Sequence, residues 1–163
     1  MTDSSDTVVA QWREQRPDLD PTPMATFTRL WRAARAADLA LQEVLAAHEL
    51  DAGWFDVLAT LRRAGAPHRL SAGTLARGLV MSTGGMTKRL DKLEAAGLVA
   101  RSPDPDDRRG VLVSLTESGL KAVDRAVEDH LANEARLLAA LSEREIRALN
   151  GTLSKLLAAW AKE

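Results

Sequence analysis

The chain has 163 residues, a formal charge of −1, and 28% charged against 45% hydrophobic residues. That size and balance suit one globular domain and exclude a disordered chain. No cysteine is present, which excludes disulfides, thiolate-bound zinc and cysteine redox switches.

The first ten residues, MTDSSDTVVA, lack the basic-then-apolar order of a signal peptide, and no apolar run reaches the ~18–20 residues that span a bilayer. A soluble, cytoplasmic protein is therefore expected. The charge is segregated. Residues 62–109 carry ten Lys/Arg against five Asp/Glu, while the remainder carries twelve against eighteen. A basic middle section with acidic flanks can steer toward a polyanion without loss of solubility.

In chain order, VVAQWREQRPDLD predicts a short N-terminal helix. Thr22 reads as an N-cap with Pro23 at the first helical position, a favourable pair at a helix start. Met24, Phe27, Trp31, Ala34, Leu41, Val44, Leu45 and His48 then recur at helical spacing. WFDVLATLRRAG predicts a shorter helix ending at Gly65, with Arg62 and Arg63 in its last turn, where the helix dipole favours cations. Ser71 caps a short helix, a turn follows at residues 78–81, and Ser82 caps a helix running to Gly97. Helix, short turn, helix is a helix-turn-helix.

Residues 98–101 and GVLVSL predict two strands around a charged tip with Pro103 and Pro105, which makes a wing. Leu120, Val123, Val127, Leu131 and Leu138 form an apolar stripe, and Ser142 to Glu145 is a capping box opening a last helix with Leu149, Leu153, Leu156 and Trp160 on one face. The terminal helices are too long and apolar to be covered by the middle section alone, so a second copy is the economical cover. The predicted fold is mainly α with a small β-hairpin wing, a winged helix-turn-helix with an extra N-terminal helix. It forms one domain over residues 1–163, with dimerisation helices at 1–50 and 117–163 and a DNA-binding region at 53–115.

Met86, Leu90, Leu93 and Gly97 share one face of the second helix of the motif and are assigned to the core. Ser82, Thr83, Gly84, Thr87, Lys88 and Lys92 lie at its N-terminal end or outer side. Short hydroxyls and glycine let a helix approach the groove floor, and lysines meet phosphate or base edges. Singly, each reads equally well as part of a solvated helix face; together, on this motif, they predict double-stranded operator DNA as a partner. At the wing tip, Arg108 suits the narrow minor groove and Arg109 a phosphate. Asp104 and Asp106 are expected to brace these guanidinium forks, since a carboxylate beside phosphate is repelled.

The stretch STGGMTKRLDKLEAAGLVARSPDPDDRRGVLVSLTESG resembles the helix-turn-helix and wing of the MarR family of bacterial transcription regulators, most specifically in DPDDRR followed by V.LT..G. The resemblance spans roughly residues 24–162. It implies a homodimeric repressor or activator on a pseudo-palindromic operator, usually relieved by a small ligand.

Four further residues stand out: Trp12, Asp56, Arg89 and Arg101. Taken singly, Trp12 reads as the anchor of its helix, Asp56 as solvated, and the arginines as solvated or phosphate-binding. Together with the added N-terminal helix they resemble the urate-responsive branch of the family, and this resemblance implies a ligand site for a small anion. Urate is a planar monoanion that a guanidinium fork and an indole can hold. Two arginines serve a polycarboxylate such as trans-aconitate equally well, and a phenolic ligand is the remaining alternative.

His48, His68 and His130 are scattered without metal-ligand spacing, and no nucleophile elbow, P-loop or dinucleotide fingerprint occurs. No enzyme activity, metal or cofactor is expected.

Overall fold

The computed structural model describes residues 4–107 and 110–161. Two compact units are present, residues 1–43 and 44–163.

In the first unit, helix α1 (Ser4–Gln15) is followed by a turn and then by α2 (Thr22–Ala47), whose last residues enter the second unit. The turn is held locally. Arg16 grips Asp18 with two hydrogen bonds of 2.8 and 2.6 Å. The carboxylate of Asp20 accepts the Thr22 N–H at 3.0 Å. Thr22 is thus the first helical residue and not the cap that the sequence suggested; Asp20 satisfies its orphan donor instead. Hydrogen bonds from Thr22 hold the Asp20 carboxyl below the usual carboxylate range. Arg29 of α2 pairs with Asp6 of α1 at 2.8 Å, and Arg13 donates to the Thr22 hydroxyl at 3.2 Å.

The second unit runs α3 (Ala52–Arg63), β1 (Arg69–Ser71), α4 (Ala72–Gly78), α5 (Thr83–Ala95), β2 (Val99–Pro103), β3 (Val111–Leu115), α6 (Glu117–Leu138) and α7 (Glu143–Trp160). Three of its helices open on the side chain predicted by cap chemistry: Ser71 for α4, Ser82 for α5, and Ser142 with Glu145 as the full capping box of α7. Asp51 caps α3. Thr116 caps α6. The sheet is antiparallel in the order β1-β3-β2, with Leu70 opposite Val113 and Val99 opposite Leu115. The hairpin wing was legible in the sequence. Its third strand, β1, was not, because three residues are too few to display an alternation and form a strand only by pairing with β3.

The core of this unit is built from helical spacings that converge. Phe55, Leu58 and Leu61 of α3, Leu75 of α4, and Met86, Leu90 and Leu93 of α5 are buried with Val99, Val113 and Val123. Gly97, assigned to the core face from its spacing, is exposed, and its φ of +72° shows its use instead: it ends α5 in the left-handed conformation that glycine adopts freely.

Thr116 and Gly119 lock α6 onto the turn after α5. The Thr116 hydroxyl donates to the Gly97 carbonyl at 2.7 Å, and the Thr116 N–H donates to the Leu98 carbonyl at 3.1 Å.

The turn between α4 and α5 contains an outlier. Val80 has a φ of +51° and is 94% exposed. A β-branched residue in the left-handed region carries strain of roughly 1–2 kcal/mol, and nothing is gained here by burial. Val80→Asn, which tolerates that conformation, is expected to raise the thermal midpoint by about 2–4 °C, as about 1 kcal/mol does for a chain of this size. A midpoint that is unchanged or lower in calorimetry counts against the strain.

Candidate nucleic-acid interface

The helix-turn-helix consists of α4, the residue 79–82 turn and α5. Ser82 caps α5 by accepting the Gly85 N–H at 3.2 Å. Ser82, Thr83, Gly84, Thr87, Lys88 and Lys92 are all exposed, on the side opposite the buried Met86, Leu90 and Leu93. The Thr87 hydroxyl donates back to the Thr83 carbonyl at 3.0 Å, which fixes its rotamer and leaves its oxygen free to accept.

Gly84 faces open space, since a Cβ built there meets no atom within 4 Å. A glycine in a helix costs about 0.5–1 kcal/mol relative to alanine, and a glycine on this face suits a close approach by something outside the protein. Gly84→Ala is expected to raise stability by about 0.5 kcal/mol in urea unfolding while weakening operator binding about tenfold. An alanine that leaves operator affinity intact would remove the close-approach argument.

The wing follows from β2 and β3. Its base is closed by the Asp104 N–H to the Gly110 carbonyl at 3.0 Å, and the Asp104 carboxylate accepts the Asp106 N–H at 3.0 Å. Arg108 and Arg109, expected to reach the minor groove and a phosphate, lie outside the described residues. The bracing expected of Asp104 and Asp106 falls there too.

The four residues singled out as a ligand set are placed as follows. Arg89 is partly buried, with its guanidinium against Gly53 in the first turn of α3 and its Nη1 3.0 Å from the Met81 Sδ. Asp56 is exposed on α3, three residues after Gly53 and so on the same face; it forms no ion pair with Arg89. A cleft of about 220 Å³ lies beside Arg89, lined by Asp51, Trp54, Gly85, Lys88, Arg89 and Lys92; Asp56 does not line it.

Arg101 sits elsewhere, on β2. Its backbone N–H and Nε donate to Glu94 at 3.0 and 2.9 Å, and its Nη2 donates to Asp91 at 2.5 Å. The Asp91 hydrogen bond raises the guanidinium above its ordinary pKa; burial opposes this in part, and Glu94 adds a further rise. Arg101 thereby ties the wing to α5. Trp12 belongs to the first unit, where it lines a cavity of about 240 Å³ with Arg16, Leu19, Asp20, Pro21 and Met24.

Sequence reasoning missed Gly53, Met81 and the Asp91–Glu94 brace. The brace had a signal in the acidic pair three apart on α5, facing one basic residue after the turn. Gly53 had none, because its role depends on a side chain 36 positions away. Among the described residues, no cluster of His, Asp and Glu is arranged to hold a metal ion, and no helix is long and apolar enough to cross a membrane.

Residues 48–110 match the family described as the MarR family. The chain is 42% identical over 151 residues to the HTH-type transcriptional regulator PecS of Dickeya dadantii (strain 3937), covering 91% of each chain. It is similar to a mutant MarR of E. coli solved in complex with operator DNA, with 27% identity, a TM-score of 0.74, and 90% and 97% of the two chains covered. AbsC of Streptomyces coelicolor shares the fold, with a TM-score of 0.80 at 22% identity over 89% of this chain and 98% of its own.

Proposed function

Because this chain belongs to the MarR family of DNA-binding transcription regulators, we propose that it is a homodimeric repressor. It holds a pseudo-palindromic operator until a small anion such as urate releases it. The observation that carries this reading is the pairing of two features on one helix. α5 presents the exposed set from Ser82 to Lys92, and at the edge of that set, in one cleft with Lys88 and Lys92, it carries Arg89, a partly buried cation whose polar partner is a thioether.

An anion inserted between Asp56 and Arg89 draws the guanidinium and repels the carboxylate. The arginine is rooted in the recognition helix, so its movement tilts α5 and spoils the spacing of the two half-sites. Such a switch requires that the anion bind the DNA-incompetent state more tightly. The dimer is supported by apolar side chains left exposed on α6 and α7, where Leu131, Leu149, Leu157 and Trp160 are 58, 42, 62 and 44% exposed and α7 buries no residue.

Arg101 already grips two carboxylates. This favours a polycarboxylate as the second candidate ligand, since it competes for the same fork. The part expected of Trp12 is tested by Trp12→Ala.

The test is a fluorescence-anisotropy titration on DNA from upstream of the protein's own coding sequence, with urate, trans-aconitate or salicylate added. Release by urate alone supports the reading; release by trans-aconitate alone replaces the ligand. The affinity should fall linearly on logarithmic axes as salt rises, and a salt-independent or absent complex removes the operator reading.

A further inference from the structure

The glycine at position 53 has no backbone reason to be one. It lies inside α3, where glycine weakens a helix, and it has no positive φ. What it supplies is space. A Cβ at this position would collide with the Cζ, Nη2 and Nε atoms of Arg89.

The guanidinium resting there is held weakly in every other respect. Its Nη1 points to the Met81 Sδ at 3.0 Å, and a thioether is a poor acceptor. Among the described residues no carboxylate stands within ion-pair distance of it. It also lies at the N-terminal end of a helix, which disfavours a cation, an effect that the nearby cap carboxylate of Asp51 offsets while it accepts the Trp54 N–H at 2.7 Å. The next turn of the same α3 face carries Asp56, an exposed carboxylate. The arrangement is a steric seat with few polar ties, beside a charged alternative.

We propose that Gly53 is the positioning residue of the switch: the bare first turn of α3 seats the Arg89 guanidinium and so sets α5 in its DNA-reading position. The proposal rests on the reading of α5 as the operator-binding helix and goes beyond it in naming what fixes its resting state. Neither Gly53 nor Met81 is needed to touch DNA or ligand. Few polar contacts are lost when the guanidinium leaves, which keeps the two states close enough for a small anion to choose between them.

Gly53→Ala and Arg89→Ala, singly and together, test it through thermal unfolding and operator anisotropy on the full chain. In the presence of Arg89, the helix-favouring effect of Gly53→Ala on the unfolding midpoint is offset, because the new methyl displaces the guanidinium from its seat. In the Arg89→Ala background the same substitution raises the midpoint by more, because only the helix-favouring effect of alanine remains. A glycine with no tie to Arg89 would give the same shift in both backgrounds. In operator binding without added anion, Gly53→Ala loses at least tenfold in affinity, and the double variant returns to within threefold of Arg89→Ala alone.

If Gly53→Ala does not fold while the double variant does, the seat is supported. If both fail to fold, or the shift is the same in both backgrounds, the proposal is overturned. Unequal shifts with unchanged operator affinity also overturn it, since the seat would exist without governing α5. Loss of operator binding by the unmutated protein is a separate result, and it removes the DNA reading and not the seat.

Met81→Leu conserves volume and removes the acceptor. It should lower the urate concentration at half-release about threefold if urate is the anion, and an upward shift contradicts the weak tie.

Discussion

Gly119→Ala is expected to destabilise the protein by about 2–3 kcal/mol, the scale of overpacking a filled site, and to lower the thermal midpoint by roughly 6–10 °C. Gly119 is buried in the first turn of α6, and a Cβ there would overlap the Leu98 carbonyl oxygen. That oxygen cannot easily retreat, because it accepts the Thr116 N–H at 3.1 Å, while Thr116 caps Gly119 at 3.0 Å and donates to the Gly97 carbonyl at 2.7 Å. Moving Leu98 therefore breaks the joint between the end of α5, the first wing strand and α6. Urea unfolding followed by circular dichroism measures the cost. A change under about 0.5 kcal/mol, the range of ordinary surface substitutions, would show that the joint yields.

The second large effect is expected on DNA binding. Arg101→Ala should weaken operator affinity by about tenfold or more, equivalent to roughly 1.4 kcal/mol, with a smaller loss of stability. The side chain of Arg101 is 24% exposed, while those of Asp91 and Glu94 are 57 and 41% exposed. Solvent screening therefore keeps the stability contribution near 1 kcal/mol. The affinity loss is larger because the bridge aligns α5 and the wing, the two elements proposed to meet DNA together. Its removal also leaves two carboxylates facing each other beside a polyanion. Arg101→Lys should recover only part of the affinity, because an ammonium cannot reproduce a fork that engages Glu94 and Asp91 together. Equal affinities for the lysine variant and the unmutated protein would reduce the brace to simple charge.

Several parts of the fold were legible from short-range chemistry. Ser71, Ser82 and Ser142 were readable as caps because a cap needs only its own hydroxyl and an N–H three residues on. The core face of α5 was readable because a 3.6-residue period repeats within one helix. Gly97 marks the limit of that method: its spacing matched the apolar face, but the helix had already ended and the left-handed φ took precedence. Thr22 marks the same limit from the other side, since two cap-capable residues two positions apart, Asp20 and Thr22, compete and only geometry selects Asp20. The exposed face of α5 was identified in advance.

Local pattern alone thus determined where helices begin, which faces are apolar, and that a helix-turn-helix with a wing lies in a basic middle section. These follow from interactions within a few residues, which any chain with this order of side chains must make. Tertiary structure decided what depends on distant partners: that residues 69–71 become a strand only beside β3, that Arg101 is spent on Asp91 and Glu94, and that Gly53 is bare because Arg89 lies on it. A side chain's partner across the fold is set by packing of whole elements against one another, and no periodicity along the chain carries that distance.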